Sequence, residues 1–151
     1  LVGPGELSTR LRMSVSPRSM AALWLVGIED VPERSAEICV VEVFGSAVVP
    51  GQGAAVGVGL HPFRDPAVTE DFAAVRRPLD VGSWHTYAVR WSADGATFLV
   101  DGEAVRRCAR PPTYPMQLMV AVFDFPGSAA PGDEAVPELW VDEISWVPWT
   151  G

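Results

Sequence analysis

The chain has 151 residues, the size of one domain and enough to bury a core without disulfides or metals. Nineteen acidic residues against eleven Lys plus Arg leave a net charge of −8, which repels phosphate backbones and anionic lipid surfaces, so neither nucleic acid nor membrane is expected as a partner. No apolar run is long enough to span a bilayer as a helix, no stretch reads as a signal peptide, and Cys39 and Cys108 are expected as free thiols.

Along the chain, short runs rich in Val, Phe, Trp and Tyr alternate with Gly, Pro, Asp and Ser clusters, and no segment keeps a 3.6-residue apolar period for three turns. The reading is all-β in a single domain over residues 1–151. Strands are expected in ELSTRLRMSV, AALWLVGI, AEICVVEVFG and AAVGVGLHP. Residues 65–75, DPAVTEDFAAV, read either as a helical turn or as a mobile loop. In HTYAVRWSADGATFLVDGEAVRRC, Tyr87, Val89 and Trp91 alternate with Thr86, Ala88 and Arg90, while Asp94-Gly95 and Asp101-Gly102 supply tight turns, so three consecutive antiparallel strands follow. MQLMVAVFDF and ELWVDEISWV complete roughly nine or ten strands, the spacing of a sandwich or barrel. The intervening PGQGAA, RPPTYP and PGSAAPGDEAVP are loops.

The third of these runs carries the chemistry. Glu37 and Glu42 lie five positions apart, so in a regular strand they point to opposite faces. One extra residue at Val40 or Val41 resets the alternation and brings Glu37, Cys39 and Glu42 onto one face, and such bulges favour active sites. The two Cα atoms would then lie roughly 13 Å apart, and side chains leaning together on a concave sheet would close the carboxylate gap to about 5–6 Å, the separation a retaining glycosidase uses. The plain alternative is a strand with one wet face that carries charge for solubility.

The ordered segments MAALWL, AEICVVE, WHTYAVRW, FLVDG, YPMQLMVAV and LWVDEISWV resemble the family 16 glycoside hydrolases, the laminarinase and β-glucanase family of concanavalin A-like jelly-roll β-sandwiches. There the corresponding segments read as a tryptophan-leading strand, Glu-x-Asp-x-x-Glu, Phe-His-Thr-Tyr, a Val-Asp-Gly hairpin and a closing Val-Asp-Tyr strand. The resemblance runs from about Glu6 to Val147. It implies a retaining endo-hydrolase of a β-linked glucan, laminarin-type or mixed-linkage, with polysaccharide as partner. It places Glu37 at the nucleophile position and Glu42 at the general acid/base position. Trp24 falls on a cleft tryptophan, and His85 on the His of the His-Thr-Tyr motif, a hydrogen-bonding partner for the catalytic strand.

Two departures from the family pattern bear on activity. Cys39 stands where the family has an aspartate that hydrogen-bonds the nucleophile, and a neutral thiol is the weaker partner, which implies a slower enzyme or a more acidic optimum. The family also has several strands before the tryptophan segment, and the chain matches roughly the last two thirds of its domain. This reads either as a fragment or as a reduced form whose sheet edges pair with something else. A non-catalytic, lectin-like carbohydrate-binding module of the same fold is the alternative. The family would make the protein a secreted one.

Of the other residues, Trp24, Phe44 and Trp84 are expected to face the cleft, where flat rings stack on pyranose faces, and Trp91, Phe98, Trp140 and Trp146 to fill the core or a second layer. Asp124 either rims the cleft or caps a loop. Two histidines, His61 and His85, do not make a metal site, and no cofactor is expected. A structural calcium, which family members sometimes carry, would draw on Asp142 or Glu143, although no ligand spacing supports it.

Overall fold

The computed structural model describes residues 1–128 and 130–149. Eleven strands are present among them: β1 (Gly5–Ser14), β2 (Ser19–Gly27), β3 (Glu37–Phe44), β4 (Val48–Val49), β5 (Gly53–His61), β6 (Asp71–Arg77), β7 (His85–Ser92), β8 (Gly95–Val100), β9 (Glu103–Cys108), β10 (Met116–Asp124) and β11 (Glu138–Pro148). All pairings are antiparallel. They form two sheets. One runs β11-β1-β7-β8-β9, and the other runs β10-β2-β3-β5-β4 with β6 also paired to β5. The result is the expected all-β sandwich of jelly-roll type. No described helix is long and apolar enough to cross a membrane.

Alternation explains the layering. In β1, Leu7, Thr9, Leu11 and Met13 are buried while Glu6, Ser8, Arg10 and Arg12 face outward. Tyr87, Val89 and Trp91 of β7 and Phe98 of β8 meet Leu23 and Leu25 of β2 and Ile38, Val40 and Val43 of β3 in one continuous core. Each such fully buried side chain contributes on the order of 1.5–3 kcal/mol relative to exposure. The β8–β9 turn is a two-residue loop in which Asp101 (φ 49°) and Gly102 (φ 81°) both take positive φ, as the twist of a hairpin requires.

Two expectations change. Residues 71–77 are a strand rather than a helical turn or loop. β5 is floored by glycines, so β6 can approach it closely: a Cβ on Gly59 (φ 143°) would lie 2.2 Å from the Asp71 carbonyl, and one on Gly57 2.5 Å from the Phe72 ring. Trp146, expected in the core or a second layer, is 38% exposed. It pairs with inward-facing Leu7, as Ile144 pairs with Thr9 and Val141 with Leu11, so all three lie on the core side of β11 without being covered. The same holds on β10, where Val120 and Val122 pair with the buried Leu23 and Ala21 yet remain exposed. Thus the sandwich is open along one flank, where β10 and β11 are the outermost strands of the two sheets.

Candidate active site

β3 contains the extra residue that the glutamate spacing demands. Against β5, Cys39 pairs with Gly59 and Glu42 with Gly57; against β2, Cys39 pairs with Trp24 and Glu42 with Ala22. Three steps on β3 therefore answer two on each neighbour, which is a β-bulge centred on Val40 and Val41. Both valines are fully buried in the core. With the alternation reset there, Glu37, Cys39 and Glu42 turn to the opposite face and line one cleft of about 200 Å³ together with Met20, Ala22, Trp24, His61 and Phe123.

Cross-strand register builds this cleft row by row. One row reads Gln117, Val26, Glu37, His61, and the next Met119, Trp24, Cys39, Gly59, Phe72. A third reads Ala121, Ala22, Glu42, Gly57, Ala74. Small residues on either side of Glu42 leave its side chain room to project into the cleft. A fourth row joins Phe123, Met20 and Phe44. Its rings continue into a line of aromatics: Trp24 lies 6.4 Å from Phe123, Phe123 stacks 6.5 Å from Phe125, and Phe125 stacks 6.5 Å from Phe44.

Electrostatically the cleft is acidic with one counterweight. Burial raises the Glu37 carboxyl above the usual range; His61 pulls it down, while Glu29, Glu42 and Glu70 push it further up. Burial likewise raises Glu42, again opposed by His61. Burial, reinforced by Glu42 and Glu37, raises the Cys39 thiol well above its ordinary value, so it is neutral. Its Sγ makes a weak contact at 3.8 Å to the Gly57 carbonyl. Both cysteines are free and buried.

Trp24 and Phe44 therefore lie on the face where they are expected, beside the two glutamates, whereas three other residues do not join them. His85 starts β7 in the opposite sheet, where its Nδ1 is 2.7 Å from Asp101 and its Nε2 2.9 Å from the Asp80 carbonyl; it steadies the β8–β9 turn and does not support β3. Trp84, just before β7, has the guanidiniums of Arg10 and Arg12 at 5.0 and 5.2 Å from its ring centre, on the outer side of that sheet. Arg12 also lies 4.4 Å from the Trp140 ring. Asp124 points away from the cleft and pairs with Arg18 at 2.9 Å, and Arg18 in turn donates to the Asp133 carbonyl at 2.6 Å. Asp124 is thus a loop cap.

Motif reading misses Phe123 and, of the titratable cleft residues, His61. The signal for His61 is parity: it stands two and four positions after Gly59 and Gly57, on the same face of β5, directly opposite Glu37. Asp142 is ion-paired to Arg10, and among the described residues no three His, Cys, Asp or Glu side chains cluster as metal ligands.

The architecture is shared with solved enzymes. The chain superposes on the β-glucanase of Bacillus licheniformis with a TM-score of 0.79 at 16% identity, covering 98% of this chain and 68% of that one. It superposes on the catalytic domain of an endo-1,3-β-glucanase (laminarinase) from Thermotoga petrophila with a TM-score of 0.73 at 21% identity, covering 95% and 63%. For the GlcNAcα1-4Gal-releasing endo-β-galactosidase of Clostridium perfringens the TM-score is 0.74 at 21% identity, covering 95% and 36%. The chain thus spans between about a third and two thirds of the length of these structures. No curated protein sequence matches it. The sequence profile of glycosyl hydrolases family 16 matches residues 4–137, a span that holds the bulged strand and every cleft residue named above, and the chain belongs to that family.

Proposed function

We propose that the cleft belongs to a retaining endo-glycoside hydrolase acting on a β-linked glucan of laminarin or mixed-linkage type. The observation that carries this reading is the bulge, which turns two glutamates five positions apart toward one cleft. Glu42 donates its proton to the glycosidic oxygen as Glu37 attacks the anomeric carbon, so the C–O bond to the leaving sugar breaks while a glycosyl ester forms on Glu37. Glu42, now ionised, removes a proton from water, which attacks the same carbon and frees Glu37. The raised carboxyl of Glu42 suits a group that must arrive protonated. Trp24, Phe123, Phe125 and Phe44 offer flat apolar faces to successive pyranose rings.

Reducing-sugar release from laminarin, lichenan, agarose and xyloglucan tests the proposal. Turnover of a β-glucan by the native chain and its loss in Glu37→Gln and Glu42→Gln is the expected result; turnover that survives both substitutions refutes it. Cys39 favours a second reading, a carbohydrate-binding module that holds glucan without cutting it, because the thiol contacts the Gly57 carbonyl and leaves Glu37 without a carboxyl partner at that position. Glucan affinity with no release of reducing ends would support that module.

A further inference from the structure

Glu37 lacks a strong partner on its own strand, and the cleft lining contains no lysine or arginine. The one lining side chain able to carry positive charge is His61, which faces Glu37 across the β3–β5 pair. His61 is held from two sides. Its Nδ1 lies 2.8 Å from Glu70 in the β5–β6 connection, and its ring stacks on Phe72 of β6 at 4.6 Å and 29°. Nε2 makes no hydrogen bond among the described residues. Phe72 can occupy that place only because Gly57 and Gly59 lack side chains. An acceptor fixed at one ring nitrogen and an aromatic plane under the ring are what orient an imidazole and fix its tautomer.

We propose that His61, clamped by Glu70 and Phe72, is the positioning residue of the carboxylate pair, supplying from the neighbouring strand the favourable partner for the Glu37 carboxylate that position 39 does not provide. The proposal rests on the glycosidase reading for its purpose but not for its physical content. The charged or titratable groups around the ring are Glu37, Cys39 and Glu42 of β3 and Glu70; Glu29, after β2, also bears on Glu37. Against these acids a cation at His61 favours the ionised Glu37, the form a nucleophile needs, while burial alone opposes it.

Carbon-13 titration of the Glu37 carboxyl in the full chain separates this role from mere packing. His61→Gln is expected to move the titration midpoint up by roughly one pH unit. His61→Arg, which keeps a cation, is expected to restore most of it. In the glucan assay the acid limb of kcat/KM moves upward in parallel, since that limb reports ionisation of the free enzyme. An unmoved midpoint in the Gln variant overturns the proposal, as does a moved midpoint that Arg leaves uncorrected. Glu70→Ala removes the acceptor from an exposed position and so guards against a variant that fails to fold: long-range proton–nitrogen spectra are expected to show the neutral His61 ring leaving the Nδ1–H tautomer, and an unchanged tautomer also counts against the clamp. If the native chain releases no sugar while the Glu37 titration responds as described, the glycosidase reading fails and the electrostatic role stands.

Discussion

Two histidines in this chain each place Nδ1 against a carboxylate, His61 against Glu70 at 2.8 Å and His85 against Asp101 at 2.7 Å, yet they sit in different sheets and do different things. Around His85 every polar valence is answered. Asp101 accepts from both the ring and the Thr86 N–H, and the Asp80 carbonyl takes the second ring nitrogen. Around His61 one nitrogen has no partner among the described residues, and two half-buried glutamates stand across the strand with raised carboxyls. A satisfied cluster stabilises; an unsatisfied acidic one costs stability and is available for chemistry.

The largest effect that sharpens this contrast is on turnover. Glu37→Gln and Glu42→Gln are each expected to lower glucan hydrolysis by at least about a thousandfold, measured by reducing-end release. The same variants are expected to raise the melting temperature at neutral pH. A group whose folded value lies above its ordinary 4.5 destabilises the fold as pH rises from that value through the raised one, and an amide removes the penalty. Gly57→Ala comes next: its Cβ would meet the Phe72 ring at 2.5 Å and Glu42 Cβ at 3.2 Å, and activity is expected to fall roughly tenfold through displaced cleft groups. In the other sheet the signs reverse. Burial would raise Asp101, but the Thr86 N–H and His85 outweigh it and hold the carboxyl below its ordinary 3.8. That stabilisation is complete above the ordinary value and is lost as pH falls through the folded one. Asp101→Asn and His85→Gln should therefore cost about 1 kcal/mol or less at neutral pH, discounted for the half-exposed Asp101, with turnover unchanged, read by urea unfolding and the glucan assay. The smallest effect is expected from Cys39→Asp, which adds a carboxyl between the glutamates and should move the pH optimum upward by a fraction of a unit.

The contrast also shows what a sequence can reveal. The bulge is readable, because two glutamates at odd spacing in an apolar strand have few ways to share a face, and Val40 and Val41 both turn into the core. The β7–β9 hairpins are readable from alternation and Asp-Gly turns. Which sheet a motif joins is not. His85 and Trp84 sit in a segment that carries the family likeness, but β7 pairs with β1 and β8, so they belong to the sheet away from the glutamates. Asp124 alternates away from its neighbour Phe123, and only the Arg18 contact shows its use. β6 is hidden because Asp71–Arg77 has little apolar periodicity of its own. Its pairing depends on glycines of another strand, Phe72 meeting Gly59 and Ala74 meeting Gly57 once the sheet has formed.

The uncovered flank has a dynamic corollary. Beyond the bridge of Met116 to Val2, β10 is held on one side only, by β2, and its core-side Val120 and Val122 gain little from burial, so the amides past Met116 should exchange with solvent faster than those of β3 or β7. Yet β10 also supplies Phe123 to the aromatic line beside Glu42. Fraying of this strand would loosen one wall of the groove while the bulged strand stays fixed, and an oligosaccharide seated on Phe123 should slow exchange in β10 and leave β11, which contributes nothing to the groove, as it was.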